Sequence, residues 1–337
     1  MTPGKENVKI QRWVVAVAVV LFLIKVFAYF LTRSVSVLTD ALESTVNVAA
    51  GFIGLYSLHV SAKPKDSDHP YGHGKAEFLS AAVEGSMIFI AGIIIIYQSI
   101  DALIHPHEIR RLNTGIYLIA FTSIVNFVLG YITVRYGRKN NSLALIASGK
   151  HLQTDTYSSI GLIIGLILIL LTGYMWLDSV VAIIFAFIVI ITGYKIVRSS
   201  IAGIMDEADD RLLLKMLKVL NENRRENWID LHNLRVIKYG GQLHVDCHLT
   251  VPWYLNVVEA HVEIDMLIAL IKKEFGDAIE FFVHTDPCLD FSCSICAKTL
   301  CDVRARQFER RVPWTMENVL SNKKHSLQNE LQEIRQN

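Results

Sequence analysis

SVSVLTDALESTVNVAAG, residues 34–51, opens an apolar run whose polar groups fall at regular intervals. Asp40, Glu43 and Asn47 stand at i, i+3 and i+7, the spacing that lines side chains along one face of a helix. The run continues to about residue 58, long enough to cross the roughly 30 Å of hydrocarbon in a bilayer. Acidic groups at that depth are costly and tend to face a cavity, a partner or an ion. The plainer alternative is a set of helix-end residues that snorkel to water or bond one another.

Outward from this stretch the pattern repeats. Apolar runs cover about 13–31, 36–58, 78–104, 113–136, 146–171 and 177–197, which predicts six transmembrane helices with no short cleavable signal peptide before them. The composition agrees: of 337 residues, 52% are hydrophobic and 19% charged, with a mean hydropathy of +0.36. Lys5, Lys9, Arg12, Lys63, Lys65, Lys75, Arg135, Arg138, Lys139, Lys150, Lys195 and Arg198 fall on one side of these runs, and Arg33, Arg110 and Arg111 on the other. That asymmetry places both termini and everything after residue 206 in the cytoplasm, the expectation for a multi-pass protein of the plasma (inner) membrane. A net charge of +1 and the lack of a basic stripe predict no nucleic-acid partner. No phosphate-binding GxxxxGK[ST] loop marks ATP as the energy source, and no nucleophile paired with a base suggests an enzyme.

The fifth run begins GKHLQTDTYSSIGLIIG, residues 149–165, with His151 and Asp155 one helical turn apart. Glu43, Asn47, His151 and Asp155 together offer three oxygen-bearing side chains and one imidazole, a plausible four-coordinate shell for a divalent transition metal. Lys25 in the first run is read as snorkelling to the outer interface, with balance of the acidic face of the second as the other reading. From residue 206 the chain reads as helix (208–223), strand (231–239), a Gly240-Gly241 turn, strand (242–251), helix (256–275) and strand (279–285), a small α+β sandwich like that of metallochaperones. Leu243, Val245, Cys247 and Leu249 alternate with His244, Asp246 and His248 along the second strand.

DALESTVN at 40–47, DSDHPYGHGKAE at 66–77, HLQTD at 151–155 and HTDPC at 284–288, in that order, resemble the cation diffusion facilitators. The likeness covers roughly residues 10–290 and implies a homodimeric exporter that exchanges divalent metal for protons across the lipid bilayer. It implies that Glu43, Asn47, His151 and Asp155 form the transport site. It also implies that Asp66, His69 and His73 form a loop site, where Gly72 and Gly74 let the backbone turn so that both imidazoles converge. His232, His248, His261, His284 and Asp286 would form a cytoplasmic two-metal cluster, with Asp286 bridging. Lys75 and Asp206 would interlock to hold the dimer. The family commonly has Asp or His where Glu43 stands and Asp where Asn47 stands. An amide oxygen is a hard ligand, so Asn47 suits manganese or iron at least as well as zinc. His244 matches no family position and is expected to be solvated.

Beyond the resemblance lies CLDFSCSICAKTLC, in which Cys288, Cys293, Cys296 and Cys301 follow the spacing C-x4-C-x2-C-x4-C. Cytosolic disulfides rarely persist, so tetrahedral zinc is the first reading, with a Cys293–Cys296 redox pair or free thiols as the others. The charged remainder to Asn337 is expected to be helix or disordered tail. The domain expectation is an N-terminal segment 1–12, a six-span part 13–205, a metal-binding α+β domain 206–287 and a Cys-rich knuckle with tail 288–337. Two functions compete: export of a divalent cation (Zn2+ first, then Cd2+, Mn2+, Fe2+ or Co2+) by proton antiport with cytoplasmic metal sensing, or a metal-sensing membrane subunit that does not transport. Retention of His151 and Asp155 favours the exporter.

Overall fold

The computed structural model describes residues 3–32, 35–105, 113–174 and 176–327; within these, the side chains of 3, 28, 29, 31, 32, 35–43, 113–119, 162, 166, 169, 170 and 178 lie outside the described part. The chain divides into two compact units, one of Met1–Met205 with Tyr239–Gly241, the other of Asp206–Lys238 with Gln242–Asn337.

In the first unit the apolar runs become long helices: α1 (Pro3–Thr32), α2 (Val35–Ser61), α3 (Ala76–Ile104), α4 (Asn113–Lys139), α5 (Leu143–Thr172) and α6 (Trp176–Ile204). The shortest, with 27 residues, spans about 40 Å at 1.5 Å per residue, more than a bilayer core. Among the described residues, stretches of α1, α3 and α6 are apolar enough to cross a membrane by composition alone, with hydropathies of 2.1, 2.2 and 2.6. Helix α2 carries the 40–47 motif and α5 carries the 151–155 motif. Helix α1 packs on α2, α3 on α6 and α4 on α5, while α5 also touches α2, α3 and α6. The α4–α5 contact depends on two glycines: a Cβ at Gly149 would come within 2.8 Å of the Gly130 carbonyl, and one at Gly130 as close to that of Gly149. Small residues let the backbones approach, and Gly149 fixes the helix two residues before His151.

Several buried polar side chains inside this unit hydrogen-bond one another across helices. Gln11 donates to Ser148 at 3.0 Å, and Ser148 to the buried carboxylate of Glu84 at 2.8 Å, which ties α1, α5 and α3 together. Ser61 and Ser142 both donate to buried Glu77. Lys25 departs from the snorkelling expectation. It is only 8% exposed, and its ammonium donates to Ser44 on α2 at 2.8 Å, because a polar partner one helix away spares it the path to water.

The second unit contains, among the described residues, α7 (Asp210–Glu222), β1 (Asp230–Tyr239), β2 (Gln242–Val251), α8 (Val257–Phe275), β3 (Ile279–Pro287) and a short α9 (Met316–Val319). Its sheet runs β1-β2-β3, with β2 and β3 parallel and His248 opposite His284. Asp209 caps α7 by accepting the Leu212 amide at 3.1 Å, and Asn256 with Glu259 forms a capping box on α8. Leu213, Met216, Leu217 and Leu220 of α7 pack with Leu267 and Ile271 of α8 on Leu231, Leu234, Val245, Cys247 and Leu249 of the sheet. Asn233 breaks the alternation of β1 with a φ of 53°, so Leu231 and Leu234 both reach the core. Its amide leaves the ladder and donates to the Ser321 carbonyl at 2.8 Å.

Two expectations fail here. The segment after Cys301 is not an uninformative tail as far as residue 327: Trp314 and Val319 are buried in the same core, and Trp314 is held at both its amide and its carbonyl by Asn221. His244 is not solvated. It is 4% exposed, and its Nδ1 lies 3.0 Å from Glu280, its direct neighbour across β3, which gives the imidazole a polar partner under cover.

Candidate functional site

Helices α2 and α5 bring three of the four membrane-depth candidates together. The Asn47 side-chain amide donates to Asp155 Oδ2 at 2.7 Å, and its Oδ1 accepts from His151 Nε2 at 2.9 Å. His151 is buried, and its Nδ1 has no hydrogen-bond partner among the described residues. The Glu43 side chain lies outside the described residues; its backbone belongs to α2, one turn before Asn47.

In the loop between α2 and α3, Asp66 gathers both imidazoles. His69 Nδ1 lies 3.0 Å from Asp66 Oδ1 and His73 Nε2 3.3 Å from Oδ2, with the two rings 4.2 Å apart between centroids. Slight desolvation opposes its charge, but the His69 amide at 2.7 Å and the two imidazoles hold the Asp66 carboxyl below the usual carboxylate range. Of the two glycines only Gly72 needs its freedom, with φ at 89°; Gly74 is not in the left-handed region.

On the sheet face away from α7 and α8, Asp286 is the centre. His248 Nδ1 donates to its Oδ2 at 3.1 Å, and His232 Nε2 lies 3.4 Å from the same oxygen. His232, His248 and Asp286 have ligand atoms within 4.8 Å of one another, as do Asp66, His69 and His73. His284 stands at the margin, 4.0 Å from Asp286 and with its ring 4.6 Å from that of His248. His261 is not brought in. It is 69% exposed on the outer face of α8, where it pairs with Asp265 one turn on.

Three further residues of this site were not foreseen. Asp230 Oδ2 lies 3.2 Å from His232 Nδ1, the nitrogen turned away from Asp286. His325 closes on Asp230 from the far end of the chain, with its Nδ1 2.5 Å from Oδ1 and its amide donating to Oδ2 at 2.9 Å. Burial opposes the charge on Asp230, yet hydrogen bonds from His232 and His325 hold its carboxyl well below the usual range. Burial alone would push His325 down, but the Asp230 carboxylate outweighs it and raises the imidazole above its ordinary value. Lys324 puts its ammonium 3.3 Å from Asp286 Oδ1 and donates to the Pro287 carbonyl at 2.9 Å. An aspartate two residues before His232 is the one local signal in the sequence; Lys324 and His325 give none.

Lys75 Nζ donates to the Ile204 carbonyl at the end of α6 at 3.4 Å, and Asp206 just beyond has a left-handed φ of 56°. Cys288, Cys293, Cys296 and Cys301 line one small cavity, with none of them in a disulfide.

A bundle of long apolar helices with a polar cluster between two of them, followed by an α+β domain, defines a membrane transporter. Residues 12–205 match the family model of the cation efflux transmembrane domain, and residues 209–288 that of the cation efflux protein cytoplasmic domain. The chain belongs to the cation efflux family, the cation diffusion facilitators, a transporter family and not a classical enzyme family. An uncharacterized transporter of Synechocystis is 34% identical over 238 residues, 71% of this chain and 77% of its own length. The manganese efflux system protein MneP of Bacillus subtilis is 27% identical over 299 residues, 84% of this chain and 98% of its own. The cation-efflux pump FieF of Shewanella oneidensis is 26% identical over 278 residues, 82% and 93%.

Proposed function

We propose that this chain exports a divalent transition metal, zinc first and manganese close behind, by exchange with protons through an alternating-access homodimer. Cadmium, iron and cobalt complete the set to be tested. The observation that carries the reading is the Asn47–His151–Asp155 cluster between α2 and α5, whose donors are those of a metal shell. Asp155 and Glu43 would supply the two negative charges that match a divalent cation, Asn47 an amide oxygen and His151 a ring nitrogen. Ligands must be deprotonated to bind, so protons and metal compete for His151, Asp155 and Glu43. Opening the site alternately to each side then couples inward proton flow to outward metal flow. Manganese moves up because Asn47 is a harder donor than a thiolate or imidazole and because one relative is a manganese efflux protein.

His232, His248, His284 and Asp286 would bind cytosolic metal and bias the dimer toward the transporting arrangement, a population shift that requires tighter binding in that state. Asp66, His69 and His73 would hold a further ion, and Lys75 with Asp206 would stabilise the dimer. Both termini would lie in the cytoplasm, with the protein in the plasma (inner) membrane. The test is uptake by proteoliposomes offered zinc, cadmium, manganese, iron and cobalt, with and without a pH gradient. Flux of at least one metal that grows with the gradient is expected. Metal binding without flux would mark a sensing subunit that does not transport.

A further inference from the structure

Cys293, Cys296 and Cys301 lie past the residues matched by the cytoplasmic-domain family model, which stop at 288, and no step of transport uses any of the four thiols. They nevertheless sit in a built environment. Cys288, Cys293, Cys296 and Cys301 face a cavity of about 30 Å³ that Tyr254 and Arg304 help to close. That is room for one atom-sized guest and for no organic ligand.

The backbone around the cavity is fixed from several directions. The Cys288 amide donates to the Val251 carbonyl at 2.9 Å, directly past the last β2–β3 pair, and Cys288 Sγ accepts the Trp253 amide at 3.4 Å. A 3-10 turn, Asp290–Ser294, then carries Cys293 around. The Arg304 guanidinium donates to the carbonyls of Cys293 at 2.9 Å, Cys296 at 3.1 Å and Lys298 at 2.5 Å, which clamps the loop from outside. Ile295 and Cys296 are buried with Ile229 and Val312, so the loop is anchored to the start of β1 and to the returning chain.

The sulfurs stand apart from the tight spacing of the Asp66 and Asp286 sets, so an ion must draw them in. Four thiolates around one divalent ion leave two negative charges, and the side chains of Lys298 and Arg304 line the same cavity.

We infer that Cys288, Cys293, Cys296 and Cys301 bind one zinc ion as a closed four-sulfur structural site, with release of the thiol protons. The ion pins the end of the strand that bears His284 and Asp286 to the loop after it, whose Cys296 packs with Val312 of the returning chain. It is distinct from the proposed transport cluster, since none of the four cysteines belongs to the membrane unit.

The experiment uses the purified full-length chain loaded with cobalt in place of zinc. Thiolate ligation gives a sulfur-to-cobalt charge-transfer band that imidazole and carboxylate sites lack. The band is expected in the wild type, unchanged in Asp286→Ala, and lost in the Cys293→Ser/Cys296→Ser variant. Its absence from the wild type, or its survival in the double variant, overturns the inference. Should the double variant fail to fold, alkylation of the wild type decides: zinc-bound thiols react only after a chelator is added, and equal rates before and after show them to be free. X-ray absorption on the zinc form should show Zn–S distances of about 2.3 Å. A chain that shows the band but no flux leaves this site standing and removes the transport reading; flux without the band does the reverse.

Discussion

Asn47, His151 and Asp155 between α2 and α5, and His232, His248 and Asp286 on the sheet, use nearly the same donor types in opposite arrangements. In the membrane cluster a neutral amide stands in the middle and engages both neighbours, donating to Asp155 at 2.7 Å and accepting from His151 at 2.9 Å. On the sheet a carboxylate stands in the middle, with His248 at 3.1 Å, His232 at 3.4 Å and the Lys324 ammonium at 3.3 Å. An arriving ion must turn the Asn47 amide before its oxygen can face the cation beside Asp155. At Asp286 an ion has only to replace one positive group by another. The first arrangement suits a carrier, which must let go; the second suits a sensor, which must hold. The difference follows from which residue is central.

The largest effect should come from Asp155→Ala. With the proposed shell reduced to one carboxylate, metal flux in proteoliposomes should vanish while zinc binding by the cytoplasmic unit is unchanged. Full flux would break the comparison at once. Asn47→Asp should sharpen it, by replacing the central amide with a third carboxylate in the proposed shell and leaving Asp155 without its N–H donor. Metal preference, or the pH dependence of transport, should shift; constancy of both would show that Asn47 is no ligand.

On the cytoplasmic side, zinc should stabilise the soluble unit by mass action, about 2.7 kcal/mol at a free concentration 100 times Kd. In a fragment whose four-cysteine site is already loaded, Asp286→Ala should remove most of the further rise in melting temperature. The fragment must run to residue 327, because Trp314 and Val319 belong to its core. In the same fragment Lys324→Ala takes away the ammonium that stands against Asp286, and zinc should bind about fivefold tighter, the worth of a partly exposed ion pair. Weaker binding in calorimetry would mean that Lys324 helps to build the site.

The smallest expected effect calibrates the rest, at a cap remote from the metal-facing residues. Burial works against the charge on Asp209, but Lys238 and the Leu212 amide outweigh it and hold its carboxyl below the ordinary 3.8. A depressed folded value means that the ionised cap contributes fully above that pH and is lost as the pH falls through the folded value. Asp209→Ala should therefore cost about 0.5–1 kcal/mol near neutrality, and the gap to the wild type should close in acid. A constant gap from pH 7 to pH 3 would assign the loss to packing.

The helices were legible in the sequence because each apolar run falls within or above the length a membrane span needs, about 17–25 residues, and β2 because its residues alternate. The pairing of Asn47 with His151 and Asp155 was legible because each motif keeps its polar groups on one helical face. The segment from Cys301 to 327 was not legible. Val312, Trp314 and Val319 are scattered among polar and charged residues in a stretch too short to show a helical or strand period, and what they bury against lies far back in the chain. Lys324 and His325 read as surface residues for the same reason. His261 shows the opposite limit: the resemblance assigned it a place in the cluster, and its position on the outer face of α8 keeps it out.

His325 meets Asp230 across 95 residues of chain, and Trp314 meets Asn221 across 93. A chain made from its N-terminus has all six membrane helices, and every strand of the sheet, before these contacts can form. Until residues 312–327 emerge, Asp230 has His232 beside it but lacks its second imidazole, His325, and the core lacks Trp314. Closing so long a loop adds little thermodynamic cost but is slow. Maturation of the cytoplasmic unit therefore trails insertion of the bundle, so a newly made copy has its membrane part assembled while the imidazole face of the sheet is still unfinished.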